Sequence, residues 1–357
     1  MRALGALAFW VAIGCVLTAG EPAKEERPGA KAEAVEPRPN PANPGKIPVI
    51  LDTDIGSDID DTWALIMALR CPRLDIKLIT TTNGASKSRA ALIAKLLTVA
   101  RRTDIPVGLG VGKGNAGYQT SWCKGFDLKS YPGKVLEDGV QAMVDTIHNS
   151  PQPVTIIAIG PLETVAAALE KDPGIASKAV YVGMQGSLGG EEYNVKCNIP
   201  AAQKVLLAPW RQTVITPLQT CGRAILSGEH MKKVNAARSN DPLLEALIEN
   251  WGQWISYGPA ALTPAKWQPP ESSTLYDTVA VYLALGERSH AKMEELAIGV
   301  TDGGVLRVDP KGAKMLVATQ WKDLDGYKDL LVKTMTNRDA ASGAEKPGTQ
   351  PGAGESK

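Results

Sequence analysis

Between Ile47 and Arg338, short β-branched apolar runs alternate with stretches whose apolar residues recur at helical spacing. That alternation restricts the architecture severely. Strands that are apolar along their length must be covered on both faces, and the helices that cross between parallel neighbours supply the cover. The pattern predicts strands at Ile47–Leu51, Asp75–Thr81, Val154–Ile159, Val180–Val182, Thr213–Thr216, Leu296–Val300, Val305–Val308 and Met315–Thr319. Helices are predicted at Asp60–Leu69, Ser86–Arg102, Leu162–Glu170, Ala201–Leu207, Leu243–Trp254, Asp277–Leu285 and Leu324–Thr336, with Ser86 as an N-cap and Pro161 at a first helical position. The expected fold is a single large α/β domain over residues 47–338, its central sheet mostly parallel and flanked by helices. In such sheets ligands bind at the carboxyl ends of the strands, which directs attention to the residues after Leu51, Thr82, Ile159 and Gly183 and to the loop before Asp277.

The ends of the chain have a different character. Arg2 precedes an apolar stretch from Ala3 to Ala19 that closes on the small residues Thr18, Ala19 and Gly20, the layout of a secretory signal peptide over residues 1–20. The stretch is short for a membrane span and no positive stop-transfer cluster follows, so export to a periplasmic or extracellular space is expected, without a transmembrane partner. Cys15, after Ala12-Ile13-Gly14, offers lipid anchoring as an alternative. Residues 21–46 carry prolines at positions 22, 28, 37, 39, 41 and 44 and read as a disordered, extended linker; residues 339–357 have the same polar character and read as a disordered tail. The 39 Lys plus Arg against 38 Asp plus Glu leave no basic stretch to track a phosphate backbone, which excludes nucleic acid as a partner. Cys71, Cys123, Cys197 and Cys221 form no C-x-x-C pair and do not cluster with His148, His230 or His290, which argues against zinc; they are expected as buried thiols. A homo-oligomer is compatible with the sequence.

Directly after the first strand stand Asp52, Asp54, Asp58, Asp60 and Asp61, five carboxylates within ten residues of a nearly neutral protein. At about 5 Å and an effective dielectric near 20, each ionised pair repels by roughly 3 kcal/mol, so carboxylates converging there require a cation. Oxygen ligands without nearby Cys or His, beside a glycine that permits a tight turn, indicate a hard ion, Mg²⁺ or Ca²⁺, with Ca²⁺ favoured where many oxygens gather. An EF-hand is excluded, because counting from Asp52 puts Ser57 where that loop needs glycine and Trp63 where it needs a bidentate Glu. A haloacid-dehalogenase-type phosphatase also begins with a strand and D-x-D, but Gly56 stands where that family usually has Thr or Val.

The string DTDIGSDIDDTWAL resembles the D-x-D-x-G-x-D-D signature of the inosine-uridine nucleoside hydrolases, with two extra residues before the paired aspartates. ITTTNG at Ile79–Gly84, IIAIGPLETVA at Ile156–Ala166, EEYNVKCN at Glu191–Asn198 and TLYDTVAVYLAL at Thr274–Leu285 follow in the family's order. The resemblance implies a Rossmann-like sheet, a nucleoside substrate, and calcium-dependent hydrolysis of the N-glycosidic bond to free base and ribose. It also implies that Asp54 ligates the metal and accepts a proton from the attacking water, that Asp61 is a bidentate ligand, and that Asp277 and the carbonyl of Ile159 complete the shell. Asp52 would support the loop and Asp60 would bind the ribose hydroxyls. Glu192 and Asn194 would hold the far side of the sugar, with Glu191 an alternative one position away. Asn83 matches a substrate-binding position, although the family's Gly-Asn order is reversed here, and a turn role stands beside it.

One departure concerns the leaving group. Purine-cleaving members carry His immediately before the last metal-binding Asp, whereas this chain has Tyr276, leaving Tyr276 as the candidate proton donor and the base preference open. Trp122, Trp251, Trp254, Tyr257 and Trp267 are candidates for stacking on a base, although the helical spacing of Trp251 and Trp254 favours core packing for those two. Two other readings stand beside the ribonucleoside hydrolase: a catalytically weak, metal-dependent sugar- or nucleoside-binding protein, and a hydrolase of another N-ribosyl compound.

Overall fold

The computed structural model describes residues 45–256, 267–286 and 288–337. The signal-like segment 1–20 with Cys15, the proline-rich linker as far as residue 44, Tyr257 and the tail 339–357 lie outside the described residues.

Ten strands form one sheet: β1 (Ile47–Thr53), β2 (Leu74–Thr81), β3 (Val107–Gly108), β4 (Val135–Leu136), β5 (Val154–Ala158), β6 (Ala179–Met184), β7 (Gln212–Thr216), β8 (Ala291–Val300), β9 (Leu306–Val308) and β10 (Ala313–Trp321). The helices are α1 (Asp60–Arg70), α2 (Ser86–Val99), α3 (Gly139–Asn149), α4 (Glu163–Lys171), α5 (Tyr193–Cys197), α6 (Ile199–Leu206), α7 (Leu218–Cys221), α8 (Gly228–Arg238), α9 (Pro242–Ser256), α10 (Tyr276–Ala284) and α11 (Leu324–Met335). No helix among the described residues is long and apolar enough to cross a membrane.

The strand order is β4-β3-β2-β1-β5-β6-β7-β10-β8-β9. Every neighbouring pair from β4 to β10 is parallel, and β8 and β9 close one edge in antiparallel fashion. The chain runs outward from β1 to β4, returns to the middle at β5, and proceeds the other way. The reversal leaves a crevice beyond the carboxyl ends of β1 and β5, the switch point where doubly wound sheets bind ligands. Alternate residues of the central strands enter two hydrophobic clusters, one on each face, with Leu51, Ile157 and Val182 on one and Ile50, Ile156 and Tyr181 on the other.

Two helix starts differ from expectation. Ser86 is the first helical residue of α2 and no cap; the N-cap position falls on Ala85 at φ 49°, and the Ser86 hydroxyl donates to the Gly110 carbonyl at 2.6 Å. Asn83, Gly84 and Ala85 are all left-handed (φ 58°, 68° and 49°), and that turn, not a side-chain cap, sets where the helix begins. Pro161 lies outside α4, which starts at Glu163 after Leu162. Its carbonyl accepts from the Thr82 hydroxyl at 2.7 Å, so Gly160 to Leu162 serve as a link fixed to the exit of β2, across β1. The two-residue strands β3 and β4 are too short for a period-2 signal. α3 is not among the predicted helices, although Asp138 caps it through the Gln141 amide and Val140, Met143, Val144 and Ile147 are buried at helical spacing. Cys71, Cys123, Cys197 and Cys221 form no disulfide; Cys71 and Cys221 are buried as expected, whereas Cys197 is exposed at the end of α5.

Candidate active site

The exit from β1 is built so that its carboxylates diverge. The Asp52 side chain lies on one sheet face, accepting from the Thr80 hydroxyl at 2.6 Å, which agrees with a supporting role. Thr53 turns into the loop, donating its hydroxyl to Asp61 and accepting from the Ile55 amide at 3.0 Å. Asp54 faces the crevice, where the Asn83 side-chain amide donates to its Oδ2 at 3.0 Å. Close approach of the β5 exit depends on Gly160, since a Cβ there would lie 2.8 Å from Asp54 Oδ1. Gly56, at φ 107°, then reverses the chain as only glycine does readily, and Asp60 and Asp61 enter the first turn of α1.

The first turn of α10 meets them there. The Asp277 amide donates to Asp60 Oδ2 at 3.3 Å, and one carboxylate oxygen from each of Asp60, Asp61 and Asp277 lies within 4.8 Å of the others. All three are buried, as is Asp54. Burial pushes the carboxyls of Asp60, Asp61 and Asp277 well above the usual range; Asp58 and Asp54 push Asp60 further while its hydrogen bonds with Asp277 oppose, and Asp60 and Asp54 push Asp61 and Asp277 further. Asp54 is also raised by burial, with the positive charge of Arg89 and the Asn83 hydrogen bond opposing. Calcium–oxygen bonds of about 2.3–2.6 Å give a shell about 5 Å across, which matches the spacing of the three oxygens. An all-oxygen set whose charges repel is the chemistry a hard divalent cation satisfies, and the residues fit one.

A cavity of about 450 Å³ opens over this cluster. Of the sequence candidates, Asp54, Asp60, Asp61, Ile159, Glu192, Asn194, Tyr276 and Asp277 all line it, together with Glu191. Asn83 sits behind Asp54, so it is at once a left-handed turn residue and a partner of the site. Glu192 caps α5, its carboxylate accepting from the Asn194 and Val195 amides at 2.6 and 3.1 Å and from the Gly186 amide at 2.8 Å. Glu191 instead pairs with Lys196 on the surface. The Asn194 side-chain amide donates to the carbonyls of Ile159 and Met184 at 3.2 and 3.1 Å, joining the β5 and β6 exits. Tyr276 opens α10 half-buried. Burial raises its phenol above the ordinary value, Thr274 opposes through a hydrogen bond, and Asp60 and Asp58 add to the rise; it therefore keeps its proton at neutral pH.

Among the described residues, Trp122, Trp251, Trp254 and Trp267 do not line the cavity. Trp251 is 3% exposed and packs edge-on against Trp63 and Trp267, with ring centroids 5.9 and 5.0 Å away. Trp254 and Trp122 are partly buried against the same core, and Trp122 is held by Glu249 at 2.9 Å and by the Lys95 ammonium 3.8 Å over its ring. Trp251→Ala is expected to lower stability by about 3–5 kcal/mol, as truncations of buried tryptophan do, measurable by urea unfolding. His148, His230 and His290 pair with Asp172, Asp329 and Asp323 away from the cavity. Residues that sequence reasoning did not single out include Tyr193, Met184 and Leu218 in the cavity wall and the buried Arg89 behind it. Tyr193 stood between two named candidates and was within reach of the motif; Arg89 appeared as one more basic residue of a helix.

The sequence pattern described as inosine-uridine preferring nucleoside hydrolase matches residues 49–341, which span every element that builds this site. The chain belongs to that family. It is 30% identical over 219 residues to the non-specific ribonucleoside hydrolase RihC of Salmonella paratyphi B, covering 57% of this chain and 71% of that one. Its fold superposes on a plant nucleoside hydrolase with TM-score 0.65 at 20% identity, covering 84% of this chain and 100% of the other. The inosine-uridine preferring nucleoside hydrolase of Bacillus anthracis gives 0.63 at 16% identity, with 82% and 99% covered. Membership makes the chain an N-glycosyl hydrolase of the ribonucleoside hydrolase family, and the single α/β domain with its mostly parallel sheet is that family's fold.

Proposed function

We propose that this protein hydrolyses the N-glycosidic bond of purine or pyrimidine ribonucleosides to free base and ribose, with Ca²⁺ as its metal. The observation that carries the reading is the convergence of Asp60, Asp61 and Asp277 within 4.8 Å in a cavity that Asp54, Glu192 and Asn194 also line. Asp54, Asp61, Asp277 and the Ile159 carbonyl would hold the cation, and Asp60 is close enough to share that shell as well as to accept from ribose hydroxyls. When bound, the cation supplies orientation of water and sugar hydroxyls and a lowered water pKa.

The remaining work falls to side chains of the chain itself. Asp54, steadied by Asn83, accepts the proton of the attacking water. Positive charge develops on the sugar in the oxocarbenium-like transition state, and a cavity rich in fixed carboxylates stabilises it without reorganisation. Glu192, anchored by three backbone amides, keeps acceptor capacity for a sugar hydroxyl, and Asn194 holds the same end of the cavity. Tyr276, protonated and lining the cavity, donates to the departing base. No covalent intermediate is needed.

Two measurements test this reading. Release of reducing ribose from a panel of purine and pyrimidine nucleosides, with and without chelator, should show metal-dependent turnover on at least one of them; binding without release from any would leave a binding protein, and release only from another N-ribosyl compound would change the substrate. Tyr276→Phe should lower kcat by about 10²-fold, the usual contribution of a positioned acid, with KM within about threefold; an unchanged kcat on every substrate removes Tyr276 from the mechanism. Export, by cleavage after residue 20 or anchoring at Cys15, is proposed on the sequence alone.

A further inference from the structure

Arg89, on α2, is fully buried, and its contacts among the described residues are all to carbonyl and hydroxyl oxygens. Nη1 donates to the carbonyl of Asp54, to that of Ile55 at 3.0 Å and to the Ser57 hydroxyl at 3.0 Å. Nε reaches the Gly84 carbonyl at 2.9 Å, and Nη2 those of Asn115 at 2.9 Å and Asn83 at 3.3 Å. These acceptors belong to three separate segments: the β1 exit, the left-handed turn after β2, and the glycine-rich loop after β3. The segments lie backbone against backbone, since a Cβ on Gly117 would sit 1.5 Å from the Gly56 carbonyl oxygen and one on Gly114 2.4 Å from the Asn83 carbonyl oxygen. Asp54 and Asn83 are moreover joined by a side-chain hydrogen bond, so Arg89 fixes the backbone at both ends of the contact that orients the Asp54 carboxylate.

We propose that Arg89 is a positioning residue for the hydrolytic reaction, its guanidinium locking three loops into one rigid unit that sets the place of the Asp54 carboxylate. The inference rests on the role given to Asp54 above. The planar fork is what the arrangement uses: five N–H groups in fixed directions serve six oxygens, and an ammonium on a flexible stem reproduces the charge but not the geometry. A misplacement of about 1 Å at a reacting group lowers turnover by about 10²-fold.

The test is Arg89→Lys, followed by steady-state kinetics and by amide hydrogen exchange. Turnover should fall about 10²-fold with KM within about threefold, and amides in residues 54–58, 83–86 and 113–117 should exchange faster together while the sheet is unchanged. Methylguanidinium at non-denaturing concentration should restore part of the rate to Arg89→Ala. A kcat within threefold of wild type, or loss of rate that tracks loss of folded protein and returns on cooling, overturns the proposal. Should neither variant fold, exchange in the unaltered protein decides: one rigid unit requires the three segments to open with a common free energy, and separate openings contradict it. Exchange is read without substrate, so it separates failure of this inference from failure of the hydrolase reading.

Discussion

Asp54→Asn is expected to lower kcat by about 10³-fold, within the 10²–10⁴ range of general-base contributions, while the protein stays folded. The substitution is nearly isosteric, and an asparagine carbonyl can still accept from the Asn83 amide that now meets Asp54 Oδ2. It removes the charge of Asp54 that raises Asp61 and Asp277, a relief that offsets the lost attraction between Asp54 and the buried Arg89 guanidinium. Only the capacity to take a proton and one oxygen of metal-binding charge disappear. Kinetics on the best nucleoside at saturating Ca²⁺, with the unfolding midpoint measured alongside, separates the two effects. A rate within tenfold of wild type would show that another group accepts the proton.

Chelation is expected to abolish ribose release and to lower the unfolding midpoint by several degrees, with a larger drop at pH 8 than at pH 5. Without the cation, burial and mutual repulsion raise the carboxyls of Asp60, Asp61 and Asp277 above their ordinary value of 3.8. The folded chain then binds more protons than the unfolded chain between the ordinary and the raised values. Their contribution to apo stability is complete below the ordinary value and is lost as pH rises through the raised ones. The cation acts in the opposite sense, because it binds the ionised form. A ligand at 100 times its Kd stabilises by about 2.7 kcal/mol, roughly 4–5 °C for a domain of about 290 residues. Midpoints that coincide with and without chelator at pH 8 would exclude a cation at this cluster.

How much of this could be read from the residues depended on the range of the interactions involved. Strand and helix alternation is a local pattern, and β1, β2, β5, β6 and β7 appear where the apolar runs put them, displaced by one or two residues at their ends. The carboxylate cluster is local too, and the motif of Thr274 to Leu285 identified the distant Asp277 that joins it. What escaped were features set by tertiary contact. Pro161 looked helical in isolation but its carbonyl is taken by Thr82. Asp60, which the motif assigns to the ribose hydroxyls, also joins the tight carboxylate group with Asp61 and Asp277, where the Asp277 amide meets its Oδ2. Arg89 has an ordinary helical neighbourhood in sequence, and its six oxygen partners come from loops that meet only after folding. Trp251, by contrast, lies in the core as its helical spacing with Trp254 indicates, packed against Trp63 and Trp267.

The most direct measurement is anomalous diffraction from crystals of the protein grown with Mn²⁺ or Ca²⁺ and a ribose-containing ligand. The account predicts a peak within about 2.3–2.6 Å of oxygens from Asp61, Asp277 and the Ile159 carbonyl, beside Asp54 and facing the sugar. A fully occupied cation elsewhere, with those oxygens bound to water alone, contradicts it.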